Sequence, residues 1–326
     1  MAVIALPRYP SKQRSATNER GFHFHPRPSA LIIIVMSAAQ AVATIARQTI
    51  LVTPAVAVSR PFTRIDLNRP KRYNAFSEEM YREVMAAMKE SAADRQSRVT
   101  LISGGACPYY SAGNDNANFA KFMHPKTMAK NAKKLCYDFV DAFIQHPKPL
   151  VGVVNGPIVG IAATTMALCD LRIGVNQVTV STPFKALGMA PEGCSSYMFP
   201  RLLGDAMAQN MLHGSGTINS GAEALKAGFL TELVDDNSRL FAVAEREALE
   251  IAEGRHPKVT QRFILAEPGL REKLMVVNQH EVDVLEKAWV SRECFQALRK
   301  FLLSKGKTKE ATALRVLDAT RLLWDR

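Results

Sequence analysis

An α/β domain followed by a helical subdomain is the fold class that this sequence predicts. Three observations carry it. β-Branched runs of strand length alternate with helical patterns from Ile50 to Asp235. Several helical patterns open on a capping residue or close on glycine. Beyond Asp235 the strands stop, and one helical pattern follows another almost to Arg326.

Taken in order, "ILVTPAVAVSR" and "FTRIDLN" are β-branched and roughly alternating, and each reads as an early strand. "SEEMYREVMAAMKESAAD" reads as a helix with Ser77 as its N-cap and acids in its first turn. Its apolar positions Met80, Val84, Met85 and Met88 share one face. "RVTLISGG" is a short buried strand ending in glycines. "PLVGVVNGP" is another, leading into the apolar helix "IVGIAATTMALCD". "LRIGV" and "VTVST" continue the sheet, and "SGAEALKAG" is a compact helix with Ser220 as cap and Gly228 as stop. The helical tail includes "REKLMVVNQHEVDVLEKAWVSRECFQALRKFLL", and "GKTKEATALRVLDATRLLWDR" after Lys305 adds one more amphipathic helix. The expected organisation is an extension over 1–48, an α/β core over 49–253 and a helical subdomain over 254–326.

Composition narrows the function classes. Hydrophobic residues at 47% and charged residues at 22% suit a soluble globular protein. The net charge of +12 is concentrated at the start: residues 1–65 hold eight Lys/Arg against the single acid Glu19. The remainder is only mildly basic, which suits a small anionic ligand as well as a polynucleotide; no Arg-rich run or RNP-like aromatic pattern appears, and no nucleic-acid partner is expected. Cys107, Cys136, Cys169, Cys194 and Cys294 are scattered, without CxxC or zinc-like His spacing, and read as reduced thiols with no metal site.

The acid-poor stretch from Met1 to about Gln48 has the bias of an organelle transit peptide. Its uncharged run "SALIIIVMSAAQAVATIA" is diluted by Ser37, Gln40 and Thr44. We expect a cleaved or disordered targeting segment, with no integral membrane span. Met36 is an alternative start. The basic start favours a mitochondrial address; the ending "LLWDR" carries no SKL-like tripeptide, and a peroxisomal or glycosomal address is the alternative.

Two segments share one grammar, a buried strand, a glycine-containing turn and a helix start: "LISGGACPYYSAGNDNANF" and "VGVVNGPIVGIAATTMALCD". A helix start leaves N–H groups unpaired and carries partial positive charge. Two such starts facing one another form a backbone oxyanion hole, with Gly113 and Gly160 allowing a ligand close approach. Tight turns of an α/β sheet have the same spacing. A third segment, "GMAPEGCSSYMFP", sets Glu192 among small and apolar residues, its nearest bases being Lys185 and Arg201. Such an acid either has a concealed partner, has a catalytic task, or complements the dipole of the helix that follows it.

Together with "NRPKRYNAF", "YYSAGND", "PKPLVGVVNGPIVGIAATTMALCDLRI" and "STPFKALGMAPEGCSSYMFPRLLG", these segments resemble the crotonase (enoyl-CoA hydratase/isomerase) superfamily over roughly residues 51–305. The match looks nearest the peroxisomal-type Δ3,Δ2-enoyl-CoA isomerase branch, with "EKL..VN..E..VL...W.S.EC" in the tail adding to it. The resemblance implies a ββα spiral core with a C-terminal helical trimerisation region, as a homotrimer or dimer of trimers. It implies a fatty acyl-CoA thioester as substrate and no cofactor, coenzyme A being part of that substrate. The oxyanion donors become the backbone N–H groups of Asn114 and Ile161, with the Asn114 side chain not implied. Ser111, Ala112, Gly113, Asn114 and Asp115 would line the coenzyme side, with Asp115 also a candidate cap for the next helix. Lys71, Arg72 and Ala75 lie in the segment that the family brings near the coenzyme A phosphates, or Lys71 and Arg72 are a solvated pair. Gly160 and Phe184 complete the substrate-binding set.

Hydratases of this family use two glutamates, at the positions of Thr164 and Phe184 here. Neither residue can do acid–base chemistry at neutral pH. Glu192, where the isomerase branch has its catalytic glutamate, is left as the single acid/base of a double-bond shift, and an apolar setting of Phe184, Met189 and Ile161 is expected to raise its pKa. Competing readings are another acyl-CoA enzyme of this fold (hydratase, lyase or hydrolase) and a non-catalytic acyl-CoA-binding scaffold. Trp289 and Phe295 are expected in a helix interface, His124 and His146 in structural roles, and Cys194 in packing.

Overall fold

The structure, a computed structural model, describes residues 31–37, 40–115, 118 and 124–321. Its strands form two sheets. The larger runs β1 (Leu31–Ser37), β2 (Gln40–Ala46), β3 (Ile50–Thr53), β4 (Phe62–Leu67), β5 (Val99–Ser103), β6 (Leu150–Val154), β8 (Leu171–Val175) and β11 (Glu232–Val234), in that spatial order. The smaller joins β10 (Thr217–Ile218), β9 (Val180–Ser181) and β7 (Ile158–Val159). Pairing is antiparallel from β1 to β4 and parallel from β4 to β11. Every residue of β5, β6 and β8 is buried, as parallel strands covered on both faces require.

The chain climbs in repeated turns. After β5 it returns to a single parallel bridge, Ser111 to Ile158; after β6 it forms β7; after β8 it forms β9, parallel to β7. Each turn gives a long strand to the large sheet and a short step to the second layer, which is the spiral that the resemblance implies. Of the intervening helices, α1 (Ala55–Val58) follows β3, α2 (Glu78–Ala93) precedes β5, α3 (Pro125–Gln145) precedes β6, and α4 (Ile161–Met166) follows β7. After β9 come α5 (Ser195–Leu203) and α6 (Asp205–His213), then α7 (Gly221–Lys226) before β11. The tail is α8 (Leu240–Ala252), α9 (Phe263–Ala266), α10 (Leu270–Trp289), α11 (Arg292–Ser304) and α12 (Thr308–Ala319).

Helix α8 lies across β4, β5, β6 and β8, while α3 is sandwiched between α2 and α10. Phe139 of α3 meets Phe76, Tyr81 and Phe143 edge-on, at centroid distances of 5.3, 4.8 and 5.2 Å. Such pairs add about 0.5–1.5 kcal/mol each beyond area burial. Among the described residues no helix is long and apolar enough to cross a membrane.

Ser77 and Ser220 cap α2 and α7 as expected, accepting from the N–H groups of Met80 and Glu223. Met80, Val84 and Met88 are buried; Met85 is half-buried at the edge of their face. Four expectations need correction. "ILVTPAVAVSR" is half strand: Pro54 has no N–H for a ladder, and α1 begins behind it. "VTVST" belongs to the small sheet, because the chain changes layer at each turn of the spiral. The helix expected from Ile158 begins at Ile161, since Ile158 and Val159 pair as β7. The stretch 31–46, set apart as extension, pairs as β1 and β2 on the edge of β3; the rest of 1–48 up to residue 30, with residues 38 and 39, lies outside the described residues.

Candidate active site

The first wall of the site is a loop held by a buried asparagine. Asn74, at φ 53°, accepts the Arg69 N–H at 2.8 Å and donates to the carbonyls of Gly104 (2.9 Å) and Tyr110 (3.0 Å). Ser111 Oγ donates to Asn74 O at 2.7 Å and accepts from the Gly113 N–H at 3.1 Å. The next step pairs with Phe76: its N–H donates to Gly113 O at 2.8 Å, and its carbonyl accepts the Asp115 N–H at 3.0 Å. A bridge of this kind turns the N–H of the intervening residue, Asn114, to the opposite side. That N–H has no hydrogen-bond partner among the described residues. The Asn114 side chain is held in turn, Oδ1 accepting from Asn118 Nδ2 at 2.9 Å and Tyr81 OH at 3.3 Å.

The second wall is the start of α4. Gly160 sits at φ 57°, ψ −128°, a combination that glycine alone adopts at ease. Its carbonyl accepts the N–H groups of Ala163 (2.8 Å) and Thr164 (3.0 Å), closing the first turn. The N–H of Ile161, inside that turn, has no partner among the described residues.

Glu192 lies between α4 and α5. It is 6% exposed, and its two carboxyl oxygens are each 3.2 Å from Thr164 Oγ1. Burial pushes this carboxyl well above the usual 4.5, the nearby Glu281 carboxyl adds to the rise, and the Thr164 hydroxyl works against it. The rise expected from the sequence is therefore present, with a second carboxyl contributing. Helix dipole complementation, the alternative for Glu192, is performed by Glu281 of α10. Its oxygens accept the N–H groups of Cys194 (2.7 Å) and Ser196 (2.8 Å) at the start of α5.

Glu192, Asn114 and Ile161 line one cavity of about 570 Å³, together with Ala112, Gly113, Gly160 and Phe184. Its remaining walls are mostly apolar and come from α2, α3, α10 and α11. Ser111, Lys71, Arg72, Ala75 and Asp115 are not among its described lining residues. Ser111 and Ala75 are buried in the loop framework. Lys71 is exposed, and Arg72 reaches Asp115 Oδ1 at 3.0 Å while Arg69 reaches Oδ2 at 3.1 Å. The helix that Asp115 was expected to cap lies outside the described residues.

Several residues in and around the cavity carry no signal of their own in the sequence. Tyr81 reads as one more position of the α2 core face, and Glu281 as a helical surface acid. In the sequence Thr164 marks a missing carboxylate, and the hydroxyl it offers goes unread. Trp289, expected in a helix interface, also forms part of the cavity wall, at the end of α10. Phe295 is buried without lining it. His124 is the residue before α3. His146 bonds Thr100 Oγ1 at 2.9 Å, and burial, with Arg262 and Lys148 nearby, lowers it to about 3. Cys194 is buried, its Sγ 3.3 Å from Leu274 O.

The sequence pattern of the enoyl-CoA hydratase/isomerase family matches residues 59–301, which includes Asn114, Ile161 and Glu192. The chain belongs to that family. Within it, human enoyl-CoA delta isomerase 2 is 39% identical over 256 residues, 75% of this chain and 62% of that protein. Mouse peroxisomal enoyl-CoA delta isomerase 3 is 36% identical over 249 residues, 76% of this chain and 77% of that protein. The chain thus spans about three fifths of the length of the human relative. Pseudomonas aeruginosa OdaA, a solved structure, superposes with a TM-score of 0.68 at 28% identity, covering 78% of this chain and 99% of its own. The fold is the crotonase fold of enoyl-CoA hydratase/isomerases.

Proposed function

We propose that this chain is a Δ3,Δ2-enoyl-CoA isomerase, shifting a 3-enoyl-CoA double bond to the 2-trans position in the breakdown of unsaturated fatty acids. The observation that carries the reading is a buried carboxyl, Glu192, lining the same cavity as two backbone N–H groups, of Asn114 and Ile161, that have no partner among the described residues. Glu192 removes a proton from C2 of the thioester. The electron pair moves onto the thioester oxygen, giving a dienolate held by the N–H groups of Asn114 and Ile161. The protonated Glu192 then returns the proton to C4, and the electrons fall back to form the C2–C3 double bond. Each N–H contributes about 3–4 kcal/mol to holding the oxyanion. No cofactor enters, since coenzyme A arrives as part of the substrate.

Burial supports this assignment, because a carboxyl with a raised pKa is a stronger base once ionised. Hydration would need a second carboxyl to activate water. Thr164 is fully buried against Gly193, which leaves no space for a longer acid there, and Phe184 is apolar. The isomerase names of the human and mouse relatives point the same way. We further propose a homotrimer or a dimer of trimers in a mitochondrion or a peroxisome. The basic N-terminal stretch supports the first address and the mouse relative the second.

The test is purified Glu192→Gln supplied with trans-3-hexenoyl-CoA. Isomerisation is expected to fall by about 10³-fold or more, with acyl-CoA binding retained. Near-native turnover would remove Glu192 from the mechanism. Fast hydration of a 2-enoyl-CoA by the unmodified protein, with no double-bond shift, would overturn the isomerase reading.

A further inference from the structure

The turn between Glu192 and α5 is unusual. Gly193 is at φ 72°, and Cys194, which carries a side chain, follows at φ 60°. Two consecutive left-handed residues reverse the chain direction, and for Cys194 that conformation is costly. What holds it is a residue 87 positions away in the sequence: Glu281 accepts the N–H of Cys194 with one oxygen and the N–H of Ser196 with the other. Glu281 is only 3% exposed. A buried acid bonded by two backbone N–H groups is an anchored helix cap brought in from another element.

Without this cap the nearest acid to the α5 N-terminus would be Glu192 itself, two residues before Cys194. Its carboxyl could swing back to the free N–H groups and become a stabilised, weakly basic anion. Glu281 occupies those donors. We propose that Glu281 is a positioning residue of the site: it takes the α5 N-terminus for itself and thereby keeps the Glu192 carboxyl turned into the cavity as a free base. This rests on the reading of Glu192 as the base.

Glu281 also acts through its charge, which raises the pKa of Glu192. The other titratable groups facing Glu192 are the Tyr81 hydroxyl from α2, the Cys136 thiol from α3 and the Cys194 thiol at the start of α5. Glu78 of α2 and Lys300 of α11 stand further along the cavity wall. Around Glu281 are Cys194, Cys136, the Ser196 hydroxyl and His280 on its own helix. Helix α4 offers Glu192 only the Thr164 hydroxyl.

The experiment compares Glu281→Gln with the unmodified protein and with Glu192→Gln, using trans-3-hexenoyl-CoA across the acid limb of the pH profile. In Glu281→Gln the carboxamide can accept with one atom only and carries no charge. The expected result is a kcat lowered by about tenfold, a KM held within about twofold and an acid limb displaced to lower pH. Should Glu281→Gln fail to fold, Glu281→Asp replaces it: the charge stays, the reach to both N–H groups is lost, and the same fall in kcat is expected. A profile and kcat that superpose on those of the unmodified protein overturn the proposal if Glu192→Gln is inactive. If Glu192→Gln is active, it is the reading of Glu192 as the base that fails.

Discussion

Thr164 Oγ1 stands 3.2 Å from each carboxyl oxygen of Glu192 and 3.2 Å from the carbonyl of Ile161. The hydroxyl therefore ties the proposed base to the same helix turn that presents one of the proposed oxyanion donors. Its bond to Glu192 favours the ionised form and opposes the effect of burial. Thr164→Val keeps the shape and removes the bond. The Glu192 pKa should rise further, moving the acid limb of kcat/KM to higher pH, opposite to the displacement expected for Glu281→Gln. On the acid side the loss should be about tenfold, the usual worth of a hydrogen bond to a charged group.

Gly160 separates backbone strain from crowding. A Cβ added there would meet nothing within 4 Å, so any effect of Gly160→Ala comes from φ 57°, ψ −128° alone. The strain is about 1–3 kcal/mol. Either the chain bears it, and denaturant unfolding shows the loss, or the turn relaxes and the Ile161 N–H swings out of line. Activity should fall more than stability in the second case. An alanine protein with native kcat and native stability would show that this backbone geometry is dispensable.

These two residues also show what a linear sequence conceals. Strands β4, β5, β6 and β8, the capped helices α2 and α7 and the glycine turn before α4 follow from patterns within a few residues and are legible, whereas β1 and β2 read as extension and β7 as helix. Pro54 interrupts a run whose alternation alone suggests continuous strand. The exchange of layers at β7 and β9 is a tertiary event that no local pattern marks. The same division holds at the site. Glu192 stands out because its sequence neighbours are apolar, whereas Thr164 lies 28 positions from it and Glu281 lies 85 and 87 positions from the two residues whose N–H groups it accepts. Glu281 looks like any acid on a polar helix until α10 is packed against α5.

The buried ion pair of Arg262 and Asp170 anchors the start of the helical tail to the spiral. The pair is 2.7 Å apart with both side chains at most 2% exposed. Arg262 also donates to the carbonyls of Leu168 (2.6 Å) and Phe143 (2.8 Å), and Asp170 accepts the N–H groups of Leu150 (2.7 Å) and Phe263 (2.6 Å). Arg262→Met leaves Asp170 charged and buried without its partner, at a cost of about 3–5 kcal/mol. Urea unfolding should show that loss, and an effect under about 1 kcal/mol would mean that the pair is solvated in practice.

A base held in a mostly apolar cavity, with the Thr164 hydroxyl as its partner, should also weaken the fold that carries it. The Glu192 carboxyl has its pKa raised above 4.5 in the folded protein, so between 4.5 and that higher value the folded state binds more protons than the unfolded one. Its contribution to stability is therefore greatest in acid and declines as pH rises through that window. Glu192→Gln removes this dependence and keeps the shape. The variant should melt a few degrees higher than the unmodified protein at neutral pH, with the gap closing as the pH is lowered toward 4.5. Thermal unfolding at a series of pH values measures this directly. A gap that widened in acid would mean that Glu192 is ionised and stabilised in the fold, which is incompatible with its use as a strong base.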